Sequence, residues 1–159
     1  YWQDTVEARD TALENSKKFV ETAVEMYEEL KDDEGLASIL TSLSGIYRQS
    51  GFEEKAIECN NRALQLAIKV YGPKDFHVAD AMQSFGYLYW NLNKTHEAYL
   101  KKSLEWHAKE MQLREELMGV VHPVTQRARQ DVAILLSRLE RTEELQALVH
   151  RYPELHQVD

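Results

Sequence analysis

A pattern that returns after 42 residues constrains the fold of this chain more than any other feature of its sequence. Each copy has an apolar residue, a small residue beside it, an aromatic residue three positions later and an alanine further on. The matching positions are Leu43, Ser44, Tyr47 and Ala56 in one copy and Phe85, Gly86, Tyr89 and Ala98 in the other. A period of tens of residues is typical of repeat architectures, in which a unit buries its apolar face only by stacking on neighbours.

Apolar spacing and a small number of breakers predict helices throughout the chain. Residues 4–31 contain neither proline nor glycine, and Val6, Leu13, Val20 and Tyr27 recur every seven residues. Phe19, Ala23, Val24, Met26 and Leu30 widen this stripe, which we interpret as one apolar face of one amphipathic helix. Further helices are predicted up to Ser50-Gly51, up to Gly72-Pro73, from Thr95 to Gly119 and from Pro123 onward, because these residues start or stop helices.

The predicted organisation is a single all-α domain over residues 1–159, a right-handed α-solenoid of antiparallel helix pairs with about seven helices. Its four parts are a long N-terminal helix over 4–31, a first repeat over 35–71, a second repeat with an extended second helix over 76–118, and a third repeat or cap over 123–151. Because the chain begins with Tyr1 and not with methionine, we expect it to be a piece of a longer protein.

Composition excludes several classes of partner. The net charge is −8, and most of it lies in residues 1–34, which hold 11 acidic and 4 basic residues. No basic stripe is visible, so we expect no nucleic-acid partner. No apolar run approaches the roughly 18 residues of a membrane span. Cys59 is the single cysteine, which fits a reducing compartment and predicts a cytoplasmic location.

Residues 35–150 resemble tetratricopeptide (TPR) repeats of the long kind found in kinesin light chains and nephrocystin-like proteins. In this family a small residue in the first helix of a pair (helix A) lies against the second (helix B), as the 42-residue pattern suggests here. The loops 71–79 and 119–124 resemble the family's Gly-Pro-Asp-His-Pro loop. The third repeat is weaker, and Gly119 follows Gly72 by 47 residues, which predicts a fifth helix that is longer by five residues.

Signals of catalysis are missing, so we predict no enzyme activity and no cofactor. The chain has no Gly-rich phosphate loop, no Gly-x-Ser-x-Gly and no His-Glu-x-x-His. We assign His77 and His122 to turns and His107 to packing, and not to a metal site. The adjacent acids Glu115-Glu116 are interpreted as a solvated helix face.

The resemblance implies that the helices A line one concave surface that binds a partner. Twelve residues are predicted to line it: Ser38, Thr41, Arg48, Gln49, Gln83, Tyr87, Trp90, Asn91, Arg127, Gln130, Asp131 and Arg138. Amides can bond a peptide backbone, arginines pair with carboxylates, and aromatic rings form an apolar pocket. The expected partner is therefore a peptide or protein segment with acidic residues beside an aromatic or apolar anchor. The family's clamp for a terminal carboxylate is not expected, because Gly45 and Tyr87 occupy two of its positions.

Two other interpretations remain open at the level of sequence. The twelve residues are also compatible with a merely solvated side of their helices. Alternatively, the chain is a structural or assembly segment, whose long first and fifth helices pack against other domains of a parent protein or against a second copy in a homo-oligomer. The leading hypothesis is a non-catalytic scaffold or adaptor module.

Overall fold

The structure, a computed structural model, describes residues 2–92 and 97–157. Its elements are α1 (Trp2–Leu30), α2 (Asp33–Gln49), α3 (Glu53–Tyr71), α4 (Phe76–Leu92), α5 (Glu97–Met118), α6 (Pro123–Arg138), α7 (Thr142–Arg151) and a closing 3-10 helix (Pro153–Gln157). The described residues contain no strand. The predicted all-α class with seven α-helices is therefore confirmed. The N-cap predicted at Thr95 lies outside the described residues.

The chain divides into two compact units, residues 1–73 and 74–159. In the first unit α2 pairs with α3, and α1 packs on α2. Ser44 is buried at the centre of α2, and its hydroxyl donates to the carbonyl oxygen of Ala56 at 2.9 Å. A small residue is needed there because the two helices approach closely. The carboxylate of Asp32 caps α2 by accepting from the backbone N–H of Gly35 at 2.9 Å.

In the second unit α4 pairs with α5, which also packs on α6, and α7 packs on α6. A core cluster joins α5 to α6 and consists of Leu100, Leu104, Val132, Leu135 and Leu136. The two histidines assigned to turns lie at helix starts. His122 is the N-cap of α6, and its Nδ1 accepts from the backbone N–H of Val124 at 3.3 Å. His77 is the second residue of α4, where its backbone N–H donates to the carboxylate of Asp75 at 2.9 Å.

The position of the five additional residues differs from the prediction. Ala98, the predicted counterpart of Ala56, is exposed. Ser103 is fully buried instead, and its hydroxyl donates to the carbonyl oxygen of Gly86 at 2.8 Å. From this point an offset of 47 residues relates the buried positions of α3 to those of α5, pairing Ala56, Asn60, Ala63 and Ala67 with Ser103, His107, Glu110 and Arg114. The insertion therefore lies before Ser103 and not at the C-terminal end of α5.

Two predictions about helix faces are wrong. Val24 and Tyr27 of α1 lie towards α2, but Phe19, Met26 and Leu30 are exposed, so the described part of α1 does not have one apolar face. Glu115 is not solvated, because its side chain is only 14% exposed and its Oε1 lies 3.2 Å from Nε of buried Arg129. Glu116 is exposed, so the assignment to a solvated helix face holds for Glu116 only.

Candidate functional site

Eight of the predicted lining residues lie on α4 and α6 of the second unit, and we call six of them the α4–α6 surface: Tyr87, Trp90, Asn91, Arg127, Asp131 and Arg138. The hydroxyl of Tyr87 donates to Oδ2 of Asp131 at 2.9 Å and so connects the two helices. The guanidinium of Arg138 lies over the ring of Trp90, 4.8 Å from its centroid. Two independent side-chain contacts therefore hold this surface in one arrangement.

Tyr87 is held firmly in place and is half-buried. Its ring meets the ring of His107 edge to face, with the centroids 5.0 Å apart. Burial, together with the hydrogen bond to the Asp131 carboxylate, raises the pKa of Tyr87 to about 12, and Arg127 opposes this shift electrostatically. The phenol is therefore neutral at physiological pH. A ligand at this part of the surface would contact the edge of the Tyr87 ring and the Asp131 carboxylate.

The other end of the surface combines an aromatic ring with polar groups. Trp90 is half-buried because it packs against the core cluster of α5 and α6. Arg138 is exposed, so its N–H groups can meet a ligand while its plane stacks on the indole. The amide nitrogen of Asn91 donates to the carbonyl oxygen of Tyr87 at 2.6 Å, which leaves the amide oxygen as an acceptor towards a ligand.

The remaining predicted residues contribute less. On α4 and α6, Gln83 is half-buried and Gln130 is exposed. The four residues on α2 belong to the first unit: Ser38 and Gln49 are exposed, and Thr41 and Arg48 are half-buried. The hydroxyl of Thr41 donates to the carbonyl oxygen of Ala37 in its own helix at 3.2 Å. Their part in a common surface with α4 and α6 stays a prediction.

A buried polar cluster, which sequence reasoning missed, lies beneath Tyr87. Glu110 is fully buried; its Oε2 lies 3.1 Å from Nδ1 of His107, and its Oε1 accepts from Nε of Arg114 at 2.6 Å. Arg114 also donates to the carboxylate of Asp80 at 2.7 Å. The spacing of three and four residues along α5 is the one signal that could have indicated this cluster. The same spacing also occurs on solvated helix faces, so it could not have shown burial.

Two grooves also went unpredicted. One, of about 510 Å³, lies between α5, α6 and α7, where Val132 and Leu148 line it and Arg141 and Arg151 flank it. The other, of about 400 Å³, lies between α1, α2 and α3 in the first unit. Within the described part of the chain, no group of three or more potential ligand side chains could hold a metal ion. None of the described helices is long and apolar enough to cross a membrane.

Comparison with known proteins identifies the repeat. Residues 36–98 match the family model of the tetratricopeptide repeat. This segment, which makes up less than half of the chain, is similar to a tetratricopeptide repeat. The resemblance inferred from the 42-residue pattern is thereby confirmed. Comparison with curated proteins gives no significant sequence match.

Solved structures of TPR-like proteins share the fold. BtubC (BKLC) from P. vanneervenii superposes with a TM-score of 0.77 at 18% identity, over 92% of this chain and 57% of that protein. The chain thus spans little more than half of BtubC. Two structures of a Podosopora anserina putative kinesin light chain with nearly identical TPR-like repeats give TM-scores of 0.70 and 0.69 at 11% identity, over 92% and 94% of this chain and 68% and 71% of theirs. These similarities establish a TPR-like solenoid fold. TPR proteins are generally non-catalytic scaffolds for protein–protein interaction.

The raised pKa of Tyr87 gives a direct test of the contact between α4 and α6. Because the folded-state pKa of about 12 exceeds the ordinary tyrosine pKa of 10.0, this hydroxyl contributes stability that is complete below pH 10 and is lost as the pH rises towards 12. Asp131→Asn should lower the pKa of Tyr87 towards its ordinary value. NMR titration of ¹³C-labelled tyrosine, with Tyr87→Phe to assign the signal, measures it. An unchanged pKa in Asp131→Asn would show that the two side chains are not in contact.

Proposed function

We propose that this chain is a non-catalytic, cytoplasmic scaffold module that binds a partner peptide on the α4–α6 surface. The observation that carries the proposal is the hydrogen bond between Tyr87 and Asp131, beside the stack of Arg138 on Trp90. A surface whose side chains are already ordered loses less entropy when a ligand binds. The burial of the single cysteine, Cys59, is consistent with the cytoplasmic location.

The chemistry of the surface favours an extended segment with an apolar or aromatic anchor and nearby acidic residues. Trp90 and Tyr87 offer aromatic area, and aromatic and arginine side chains dominate binding energy at interfaces. Arg127 and Arg138 are exposed and can pair with carboxylates of the partner. Exposed charge pairs contribute only about 0–1 kcal/mol each, so the anchor should contribute more than the charges.

Alanine substitutions on the surface should weaken peptide binding. The probe is an array of 12-residue peptides that carry Asp or Glu beside Trp, Phe or Leu, each paired with a control in which Lys replaces the acids. For peptides that bind, we expect Tyr87→Ala to raise the Kd by roughly tenfold or more, as removal of an anchoring aromatic residue does. Asn91→Ala should also weaken binding. Lys18→Ala on α1 and Lys101→Ala on α5, both exposed, are the matched controls.

The opposite pattern would refute the proposal. If both surface variants bind like the parent chain and substitutions on the outer sides of α1 or α5 abolish binding, the chain is an assembly segment.

Binding should also depend on salt. Because the arginines lie at the rim, they mainly accelerate encounter with an acidic peptide, and salt screens this effect. We expect the Kd of an acidic-aromatic peptide to rise between low and physiological ionic strength, and the rise to be smaller in the Arg127→Ala/Arg138→Ala double variant. Fluorescence anisotropy at several salt concentrations measures both. Equal salt dependence in the parent chain and the double variant would show that the two arginines do not contribute to peptide binding.

A further inference from the structure

Four aromatic rings lie in a row where α4 packs against α5, and we call them the ring stack: Trp106, Phe85, Tyr89 and Tyr99. The centroids of successive rings are 4.4, 6.3 and 6.3 Å apart, and each pair of rings lies within 22° of parallel. The ammonium group of Lys109 lies over Trp106, 4.5 Å from the ring centroid. Lys102 lies over Tyr89 in the same way, at 5.2 Å. Aromatic rings and cations therefore fill this position of the second repeat.

The third repeat has no aromatic ring at the four equivalent positions. These positions lie 47 residues after those of α4 and 42 residues after those of α5, because the five additional residues precede Ser103. In the order of the ring stack, their occupants are Leu148, Val132, Leu136 and Arg141. All four line the groove of about 510 Å³ between α5, α6 and α7, which we call the α5–α7 groove. This groove therefore occupies the place that the ring stack fills in the repeat before it.

The first repeat keeps two of the four rings, since its occupants of the same positions are Cys59, Leu43, Tyr47 and Phe52. Its groove between α1, α2 and α3 is smaller, about 400 Å³. Two side-chain contacts from α1 also cross this groove. The hydroxyl of Tyr47 donates to Glu21 at 2.6 Å, and Arg62 donates to Glu28 at 2.5 Å. In the α5–α7 groove, Leu136 replaces Tyr47 and has no hydroxyl for such a contact.

Cations remain at the α5–α7 groove although the rings are absent. Arg151 replaces Lys109, and its side chain is 71% exposed. One face of its guanidinium lies over Tyr152, 5.1 Å from the ring centroid, so the other face can meet a ligand. At the opposite end, Arg141 is held at its edge by the carboxylate of Glu144 at 2.7 Å. A guanidinium that is paired at its edge can still stack its plane on an aromatic ring.

The dimensions of the groove suit more than one ring. Ala147 and Ala108 line it, and Ala147 stands where the other two repeats carry the glutamates Glu58 and Glu105. These small side chains leave the groove accessible from outside. The ten residues from Arg141 to Arg151 span about 15 Å along α7. This length exceeds one ring and accommodates two at the 6.3 Å spacing found in the ring stack.

We propose that the α5–α7 groove binds an extended segment of a partner protein that presents two aromatic side chains, tryptophan or phenylalanine, two residues apart. Residues two apart in an extended chain point to the same side and lie about 6.6 Å apart, close to the spacing of the ring stack. The rings would pack on Val132, Leu136 and Leu148, and Arg151 would cover the outer face of one of them. The groove shares no residue with the α4–α6 surface, so the two sites are separate.

An NMR titration of the full chain tests this site. The probe is the peptide acetyl-Ser-Trp-Ser-Trp-Ser-amide, which has no acidic group, and the chain carries ¹³C-labelled alanine and leucine methyl groups. We expect saturable shifts of the methyl signals of Ala108, Ala147 and Leu148, which line the groove. N-acetyl-tryptophanamide, which has a single ring, should bind roughly tenfold more weakly, because the second ring of the peptide binds intramolecularly.

Two substitutions with the same change of charge give the matched comparison. Ala147→Glu introduces the carboxylate that the other two repeats carry at this position. It should raise the Kd of the peptide by roughly tenfold, because the bound rings would desolvate the carboxylate. Gln146→Glu adds the same charge at the neighbouring residue, which does not line the groove, and should bind normally. Both positions are exposed, so circular dichroism should show an unchanged fold in both variants.

Three further variants test the geometry. Leu148→Trp introduces a ring at the position of Trp106 and should abolish binding of the peptide, with circular dichroism to verify the fold. Arg151→Ala should raise the Kd by roughly threefold through loss of the cation–π contact. Asn91→Ala, on the α4–α6 surface, should have no effect. Loss of binding in Asn91→Ala would place the peptide on the α4–α6 surface and not in the groove.

Four other outcomes would overturn the proposal. They are absence of saturable methyl shifts, equal binding by Ala147→Glu, equally tight binding of the single ring and the peptide, and shifts of the same methyl signals with protein concentration alone. The third would make the groove a site for small aromatic compounds, and the last would make it an interface between two copies of the chain. None of these four outcomes tests the α4–α6 surface, whose proposed ligand carries acidic residues.

Discussion

Replacement of Gly86 by leucine should lower the free energy of unfolding by about 2–3 kcal/mol, since overpacking a tight contact costs amounts of this order. A Cβ at this position would lie 2.5 Å from Nε2 and 2.6 Å from Cε1 of His107. The imidazole cannot move aside easily, because it is fully buried and its Nδ1 lies within hydrogen-bond distance of Glu110. Urea denaturation followed by circular dichroism measures the change.

Gly45 provides the matched control, since it also lies inside a helix. Nothing lies within 4 Å of the position that its Cβ would occupy. Gly45→Ala should therefore raise the free energy of unfolding by up to about 1 kcal/mol through helix propensity. Gly86→Ala, with the same change of residue, should have the opposite sign. If both alanine variants stabilise the chain, Gly86 does not lie in close contact with His107.

The second large effect is expected at the buried cluster of α5. Glu110→Ala should cost about 3–5 kcal/mol, as removal of one member of a buried ion pair does. The guanidinium of Arg114 is almost completely buried and would keep only its contact with Asp80. Arg114→Ala should be similarly destabilising, because it leaves the carboxylate of Glu110 without its cationic partner. The double variant should be destabilised by less than the sum, with a coupling of about 1–3 kcal/mol.

An exposed ion pair on α5 gives the control for this comparison of single and double variants. Lys101 and Glu97 are also four residues apart, with Nζ and Oε1 separated by 2.6 Å. Because both are exposed, we expect Lys101→Ala to change the free energy of unfolding by less than about 0.5 kcal/mol. Additive effects of the Glu110 and Arg114 substitutions in urea denaturation would show that the two side chains do not interact in the folded chain.

The α4–α6 surface was partly predictable. The repeat placed Tyr87, Trp90 and Asn91 on one helix A and Asp131 and Arg138 on the next. The structure connects them in two sets: Tyr87 contacts Asp131 and Asn91, and Trp90 contacts Arg138. No pattern in the sequence predicted the contacts themselves. The hydrogen bond between α4 and α6 depends on how far apart the helices lie and on how they are rotated, which a linear pattern does not report.

The sequence by itself determined the helical class, the pairing of helices and the need for small residues at Ser44 and Gly86, because apolar spacing and close approach are local consequences of residue type and period. Only the tertiary structure decided which polar residues are buried. The buried positions of α3 include Ala63 and Ala67, and the equivalent buried positions of α5 are occupied by Glu110 and Arg114. Charged residues three and four apart look alike whether they face water or a neighbouring helix. Burial depends on what packs against that face, and this is a property of the whole fold.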